Sequence, residues 1–137
     1  LLEYFRAARR NLVDDGGFFI DLCGGLELGA EITERSKKGR GLTYVWDQKP
    51  YNPITGHAIR HIHFEFSDGT RIKKAFTYDW RLWSLPELRD VLTEAGFRDV
   101  EVYWEGDDGT GAGNGVFRRR HTVEEETAWI AYVVAWR

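Results

Sequence analysis

A glycine-rich segment is the first place in this sequence where the spacing of residues suggests chemistry. It contains the motif Asp107-x-Gly109-x-Gly111-x-Gly113, and a run of residues typical of a β-strand precedes it. Loops of this kind hold the phosphates of nucleotide-type cofactors when they lead into a helix. The helix N-terminus then points backbone N–H groups at the anion. The interpretation therefore depends on whether a helix comes after the loop.

The residues after the loop do not have the pattern of such a helix. Residues 118–126 are RRRHTVEEE, without an apolar stripe at helical spacing, and a single further strand pattern comes after them. A dinucleotide-binding half-fold needs more strands and helices than that. We therefore predict that 107–113 is a flexible hairpin loop between two antiparallel strands and not a cofactor-binding loop.

Three histidines form a second candidate group. His61 and His63 project from the same face of a predicted strand, and His57 precedes them. A zinc site needs three or four ligands, and no acidic or cysteine partner is fixed nearby, so no metal site is predicted. A neutral imidazole can act as a general base toward a hydroxyl or an amine, which makes His61 and His63 candidate catalytic residues. The alternative is a strand face exposed to solvent.

Charge and composition restrict the classes of function. The 137 residues carry a net charge of −3, so neither nucleic acid nor an anionic membrane is an expected partner. No apolar run approaches the roughly 18 residues of a membrane-spanning helix, and no signal peptide is visible. The single cysteine, Cys23, cannot form a disulfide within the chain, which predicts a reducing, cytoplasmic setting.

The sequence contains no methionine, and it begins inside a helical pattern. We therefore expect residues 1–137 to be part of a longer protein, although trimming of a few N-terminal residues would also explain this start. Hydrophobic residues make up 42% of the chain, and no repeat or linker divides it. We predict one domain over 1–137.

Helical and extended patterns alternate in the first part of the chain. Apolar residues at helical spacing over 1–13 predict a helix that ends at the glycines 16–17. The continuous apolar run 18–22 predicts a strand that is buried on both faces. Residues 24–41 are polar and basic, and their pattern predicts no definite element.

Three extended segments follow, at 42–47, 59–66 and 72–80. They predict an antiparallel sheet over about 41–81, with an Asp-Gly hairpin turn at 67–70. Alternation within the segments gives this sheet one apolar and one polar face. The apolar positions of the second and third segments are Ile62, Phe64, Phe66, Phe76, Tyr78 and Trp80.

The last part of the chain predicts a helix and two strands. Ser84 and Glu87 have the spacing of a capping box, which begins a helix, and Gly96 predicts its end. Clean alternation over 99–105 predicts a strand with one apolar face. Residues 128–136 are apolar on both faces, so this final strand is predicted to lie inside a sheet.

This order of elements resembles the C-terminal half of the class I S-adenosylmethionine-dependent methyltransferases. The phrase Leu92-x-x-Ala95-Gly96-Phe97-x-x-Val100 resembles the segment that leads from the last helix of that family into its sixth strand. The segment NLVDDGGFFIDLCGG, residues 11–25, resembles the family's helix end, turn and fifth strand.

The resemblance implies an α/β fold, of α+β type within this part of the protein. The chain would be the C-terminal part of a Rossmann-like sheet that contains strands five, seven and six. Residues 128–136 would be the seventh strand, inserted antiparallel between 18–22 and 99–105. The antiparallel sheet at 41–81 would be an insertion that acts as a substrate lid.

The resemblance also implies where ligands bind. The family holds S-adenosylmethionine through segments that would precede Leu1, so no cofactor-binding residue is expected within the chain, and 1–137 alone should be inactive. In the family, the end of strand five and the insertion face the methyl acceptor, and aromatic walls there exclude water. The residues that this implies for the acceptor pocket are Asp21, Tyr44, Trp46, Tyr78, Trp80 and Arg81. The aromatic side chains among them could instead form the core of the insertion.

The leading hypothesis is the acceptor-side part of a methyltransferase that acts on a small molecule. Methyl transfer depends mainly on holding the acceptor in line with the sulfonium, so it requires no catalytic triad or paired carboxylates. One alternative is a free-standing α+β module that binds a small apolar ligand without catalysis, and another is a non-catalytic interaction domain. In the isolated chain, the unpaired edge of strand 18–22 favours a homodimer or aggregation.

Overall fold

A computed structural model describes residues 1–124 and 126–137, which form a mixed α/β structure with two antiparallel sheets. The chain divides into two compact units. Unit 1 comprises Leu1–Glu27 and Trp83–Arg137, and unit 2 comprises Leu28–Leu82. Glu125, part of the charged segment after the glycine loop, lies outside the described residues.

Each unit contains one four-stranded sheet. A short 3-10 turn occupies Leu26–Gly29. The elements of unit 1 are α1 (Leu2–Asn11), β1 (Gly17–Gly24), α2 (Leu85–Glu94), β6 (Arg98–Asp107), β7 (Gly113–Arg119) and β8 (Trp129–Trp136). The elements of unit 2 are β2 (Ile32–Lys37), β3 (Leu42–Tyr51), β4 (His57–Phe66) and β5 (Arg71–Arg81). No helix in the described residues is long and apolar enough to cross a bilayer.

The unit 1 sheet has the strand order β1-β8-β6-β7. Val133 of β8 is paired with Ile20 of β1 on one side and with Val102 of β6 on the other, and both pairings are antiparallel. β1 and β6 therefore run parallel to each other with β8 inserted between them in the opposite direction. This confirms the prediction that the final strand lies inside a sheet, antiparallel beside 18–22.

The core of unit 1 lies between this sheet and the two helices. Phe5 of α1, Leu92 of α2 and Val133 of β8 belong to one buried cluster, and their exposed fractions are 2% or less. Burial of apolar area at this interface is the main force that holds the helices on the sheet.

α2 begins and ends as its sequence predicts. The Ser84 hydroxyl accepts a hydrogen bond from the Glu87 backbone N–H, and the Glu87 carboxylate accepts one from the Ser84 backbone N–H at 2.8 Å. This is the capping box, and it satisfies two backbone donors that the first turn leaves free. Gly96 takes a φ of +94° directly after the helix, a conformation in which a side chain would be strained.

β1 differs from the prediction of a strand buried on both faces. Phe18 and Ile20 pack against the helical core, but Phe19 is 64% exposed and Asp21 is also exposed. Tyr132 of β8 is likewise 38% exposed on this second face. A continuous apolar run fits burial on two faces, but helices of this chain cover one face of β1.

The glycine-rich segment is a hairpin, as predicted. Asp107 pairs with Gly113, and the Asp108 N–H donates to the Ala112 carbonyl at 2.9 Å. The hairpin joins β6 to β7, whereas we expected it to lead to the final strand. β7 was missed because GNGVFRR has almost no apolar alternation.

The unit 2 sheet is a meander in the order β2-β3-β4-β5. The predicted hairpin turn is present between β4 and β5: Gly69 has a φ of +86°, and the Thr70 N–H donates to the Asp68 carboxylate at 2.8 Å. The sequence did not predict β2, which has the residues ITERSK, so unit 2 begins earlier than the expected boundary at about 41.

Candidate functional site

One face of the unit 2 sheet is lined with aromatic side chains. Trp46 of β3 pairs with Ile62 of β4, and Ile62 pairs with Phe76 of β5, so these three residues share a face. Alternation along each strand adds further rings to the same face. We call this surface the aromatic face and define it by Tyr44, Trp46, Phe64, Phe76, Tyr78 and Trp80.

The rings of the aromatic face contact one another but remain partly accessible. The ring centroids of Tyr78 and Trp80 are 4.6 Å apart, and those of Trp46 and Trp80 are 6.5 Å apart. Both separations lie in the range of favourable aromatic pairs. Trp80 is nevertheless 40% exposed and Phe76 is 53% exposed. The face therefore keeps apolar ring surface that a ligand can contact.

Tyr44 contributes a polar group to the aromatic face. Burial raises the pKa of the Tyr44 phenol, and the negative charges that Tyr78 and Glu34 can carry raise it further. The phenol therefore stays protonated at neutral pH and can donate a hydrogen bond. An apolar wall with one such donor is the usual composition of a small-molecule site.

Arg60 is a buried anchor that the sequence analysis missed. Its side chain is on the same face as Trp46 and is 1% exposed, and its guanidinium donates to the carbonyl oxygens of Leu28, Lys49 and Ile59. These contacts attach the chain before β2 to β3 and β4. The available signal was the position of Arg60 in the strand alternation, where a basic residue stands at an otherwise apolar site.

Gln48 makes a second attachment of the same kind. It is opposite Arg60 in the sheet and is 6% exposed. Its side-chain amide donates to the Ala30 carbonyl at 2.8 Å and to the Leu28 carbonyl at 3.3 Å. Buried polar groups are stable when their hydrogen bonds are made, so Gln48 and Arg60 together hold the start of unit 2 in one arrangement.

His63 lies on the opposite face of the sheet, and both of its ring nitrogens have partners. Nδ1 accepts a hydrogen bond from the Lys74 backbone N–H at 2.8 Å, and Nε2 lies 3.3 Å from the Asp47 carboxylate. Because Nδ1 is an acceptor, the proton of the neutral ring is on Nε2 and is donated to Asp47. His63 has no free nitrogen for a substrate proton in this arrangement.

His61 is beside His63 and is buried. It is 6% exposed, which differs from the solvent-exposed strand face that was the alternative interpretation. Its Nδ1 lies 2.9 Å from the Thr77 hydroxyl, and no residue in the described part of the chain forms a hydrogen bond with its Nε2. Burial lowers the pKa of His61 below 6.5, and the positive charge of Lys74 lowers it further. The general-base role of His61 and His63 stays a prediction.

The burial of His61 predicts a pH dependence of stability. Below about pH 6.5 the His61 ring binds a proton in the unfolded chain, but it does so less readily in the folded protein because its pKa is lower there. The free energy of unfolding should therefore fall as pH decreases. In His61→Gln this loss should be absent. Urea denaturation between about pH 7.5 and pH 5.5 measures it, with exposed His121→Gln as the control. If the free energy of unfolding of His61→Gln fell with decreasing pH as much as that of the wild type, His61 would not be the source of the pH dependence.

Asp47 stays ionised beside the histidines. Burial alone would raise the pKa of its carboxyl, but hydrogen bonds and charges from Lys49 and His63 outweigh burial and hold the pKa below 3.8. The Lys49 ammonium lies 2.9 Å from Asp47 Oδ1. Within residues 1–124 and 126–137, no three histidine, cysteine, aspartate or glutamate side chains are grouped as a metal site.

The structure brings together four of the six residues that the resemblance implied for the acceptor pocket, namely Tyr44, Trp46, Tyr78 and Trp80. Arg81 pairs with His57 at the end of β5 and projects from the other face of the sheet. Asp21 belongs to unit 1, where it is exposed on β1 opposite Tyr132. The acceptor-pocket role of all six residues stays a prediction.

Comparison with known proteins finds a likeness among solved structures. No protein-family model matches the sequence, and no curated protein matches it. Among solved structures, the chain is similar to the CcbJ methyltransferase from Streptomyces caelestis, with a TM-score of 0.62 and 15% sequence identity. The fold is methyltransferase-like. The likeness covers 96% of this chain and 51% of the other, so the chain spans about half the length of that methyltransferase.

Proposed function

We propose that this chain is the acceptor-side part of an S-adenosylmethionine-dependent methyltransferase that acts on a small molecule. The observation that carries the proposal is the position of β8, antiparallel between the mutually parallel strands β1 and β6. This is the arrangement that the class I family resemblance implies for strands five, seven and six of a Rossmann-like sheet. The methyltransferase-like fold supports the same assignment.

The cofactor would be held by a part of the longer protein that precedes Leu1. β1 pairs with β8 on one side and is at an edge of the sheet in the described residues, so a further strand can be added there. In the isolated chain, a second copy could pair with the same edge and form a homodimer. The glycine hairpin does not fit the cofactor, because Gly109 and Gly111 lie between two antiparallel strands and not before a helix.

The acceptor would contact the aromatic face. Its partly exposed rings offer an apolar or cationic small molecule an apolar contact surface, and the Tyr44 phenol can orient a polar group of that molecule. S-adenosylmethionine supplies an activated methyl group when bound. The contribution of this chain is to hold the acceptor in line for transfer, which accounts for much of the rate in such reactions.

Calorimetric titration with S-adenosylmethionine tests this division of roles. We expect the protein encoded by the complete gene to bind the cofactor and residues 1–137 alone to give no heat of binding. Far-UV circular dichroism of the same sample of 1–137 confirms that it is folded. Binding by 1–137 alone would contradict the proposed location of the cofactor, and no binding by the complete protein would favour the non-catalytic module.

A further inference from the structure

A cavity of about 530 Å³ lies within unit 1, and none of its lining residues belongs to the aromatic face. We call it the arginine cavity and define it by six of the residues that line it: Arg89, Val100, Val102, Trp104, Arg119 and Arg120. Arg89 comes from α2, the next three residues from β6, and the last two from the end of β7 and the position after it. Its volume is in the range of about 300–1,000 Å³ that small-molecule sites occupy.

The floor of the arginine cavity is apolar and rigid. Val100, Val102 and Trp104 alternate along β6, so their side chains are on one side of the sheet. The Trp104 indole N–H donates to the Glu126 carboxylate at 2.9 Å, and the centroid of its ring is 4.7 Å from that of Trp129. The indole is therefore held in one orientation, and the 8% of its surface that is exposed is a fixed apolar contact at the cavity.

Of the arginines that line the cavity, one has an acidic partner among the described residues and two do not. Arg119 lies 2.7 Å from the Glu101 carboxylate, which also accepts a hydrogen bond from the Tyr103 hydroxyl, so this pair is neutralised. Arg89 and Arg120 are exposed and form no ion pair with any side chain in the described part of the chain. The lining thus has three arginines and two carboxylates, Glu101 and Asp99, and a third carboxylate, Glu126, adjoins it at Trp104.

We propose that the arginine cavity binds a small molecule with a planar apolar body and one carboxylate or phosphate group. The body would contact the valines and Trp104, and the anion would contact Arg89 and Arg120. A guanidinium presents paired donors that match either anion, and neither Arg89 nor Arg120 is neutralised by an ion pair in the described residues. Asp99 also lines the cavity and would repel a second negative group, so the ligand is expected to carry a single anionic group.

Titrations followed by nuclear magnetic resonance test the proposal on the ¹⁵N-labelled protein encoded by the complete gene. We expect 2-naphthoate to shift the signals of the Trp104 indole N–H and the Val102 amide, and 2-naphthalenemethanol, its neutral analogue, to bind about fivefold more weakly. A parallel titration with 2-naphthyl phosphate decides which anion binds more tightly. Inorganic phosphate alone should bind more weakly than 2-naphthyl phosphate because it lacks the apolar body.

Substitution of the two unpaired arginines locates the anion. Arg89→Gln and Arg120→Gln should each weaken the binding of the preferred naphthyl anion about threefold. Arg40→Gln removes the same charge at an exposed position of unit 2 and should leave the affinity unchanged. The proposal is overturned if neither anion shifts the Trp104 signal, or if the neutral analogue binds as tightly as 2-naphthoate. Equal losses in the Arg40→Gln control would also overturn it.

Discussion

Replacement of Arg60 by leucine is expected to lower the free energy of unfolding of unit 2 by about 3 kcal/mol. The Arg60 side chain is 1% exposed, and its guanidinium supplies hydrogen bonds to three backbone carbonyl oxygens. Leucine fills part of the same volume but donates nothing. The backbone carbonyls of Leu28, Lys49 and Ile59 would lose these partners. Urea denaturation followed by far-UV circular dichroism measures the change.

Arg40→Leu is the matched control for this substitution. Arg40 is exposed, so the same change of residue there should alter the free energy of unfolding by no more than about 0.5 kcal/mol. If Arg60→Leu proved as stable as the Arg40 variant, the three carbonyl contacts would not stabilise unit 2. The interpretation of Arg60 as an anchor for the chain before β2 would then be wrong.

Trp80→Ala in the complete protein is expected to raise the KM for the methyl acceptor about tenfold. Trp80 is 40% exposed, and its ring is near those of Tyr78 and Trp46, so its removal takes away accessible apolar surface from the aromatic face. The KM for S-adenosylmethionine should stay unchanged, because the proposed cofactor site lies upstream of Leu1. Release of S-adenosylhomocysteine, measured with acceptors selected from a panel of aromatic amines and phenols, gives both constants.

Tyr4→Ala provides the control for loss of an exposed aromatic ring. Tyr4 is on α1 in unit 1 and is 61% exposed, so this variant should keep the wild-type KM for both substrates. A Trp80→Ala variant with an altered KM for S-adenosylmethionine and an unchanged KM for the acceptor would place the aromatic face at the cofactor, contrary to the proposal.

Local sequence signals predicted the elements that local interactions form. The capping box at Ser84 and Glu87 is complete within four residues, and the turn at 67–70 depends on its own Asp-Gly pair. The apolar faces of β8 predicted an inner strand, because an edge position would leave more of that surface in water. β2 and β7 have few apolar residues, so their extended structure depends on pairing with β3 and β6, which no local pattern encodes.

The same distinction applies to the candidate sites. Alternation along β5 by itself determined that Phe76, Tyr78 and Trp80 share a face, because successive side chains of any strand point to opposite sides. Tertiary structure decided that His61 is buried and that Arg60 donates a hydrogen bond to the carbonyl of Leu28, 32 residues away in sequence. Burial and long-range hydrogen bonds depend on which distant segments meet. A single sequence shows which residue types are present to form such contacts, whereas the tertiary structure determines which of them are in contact.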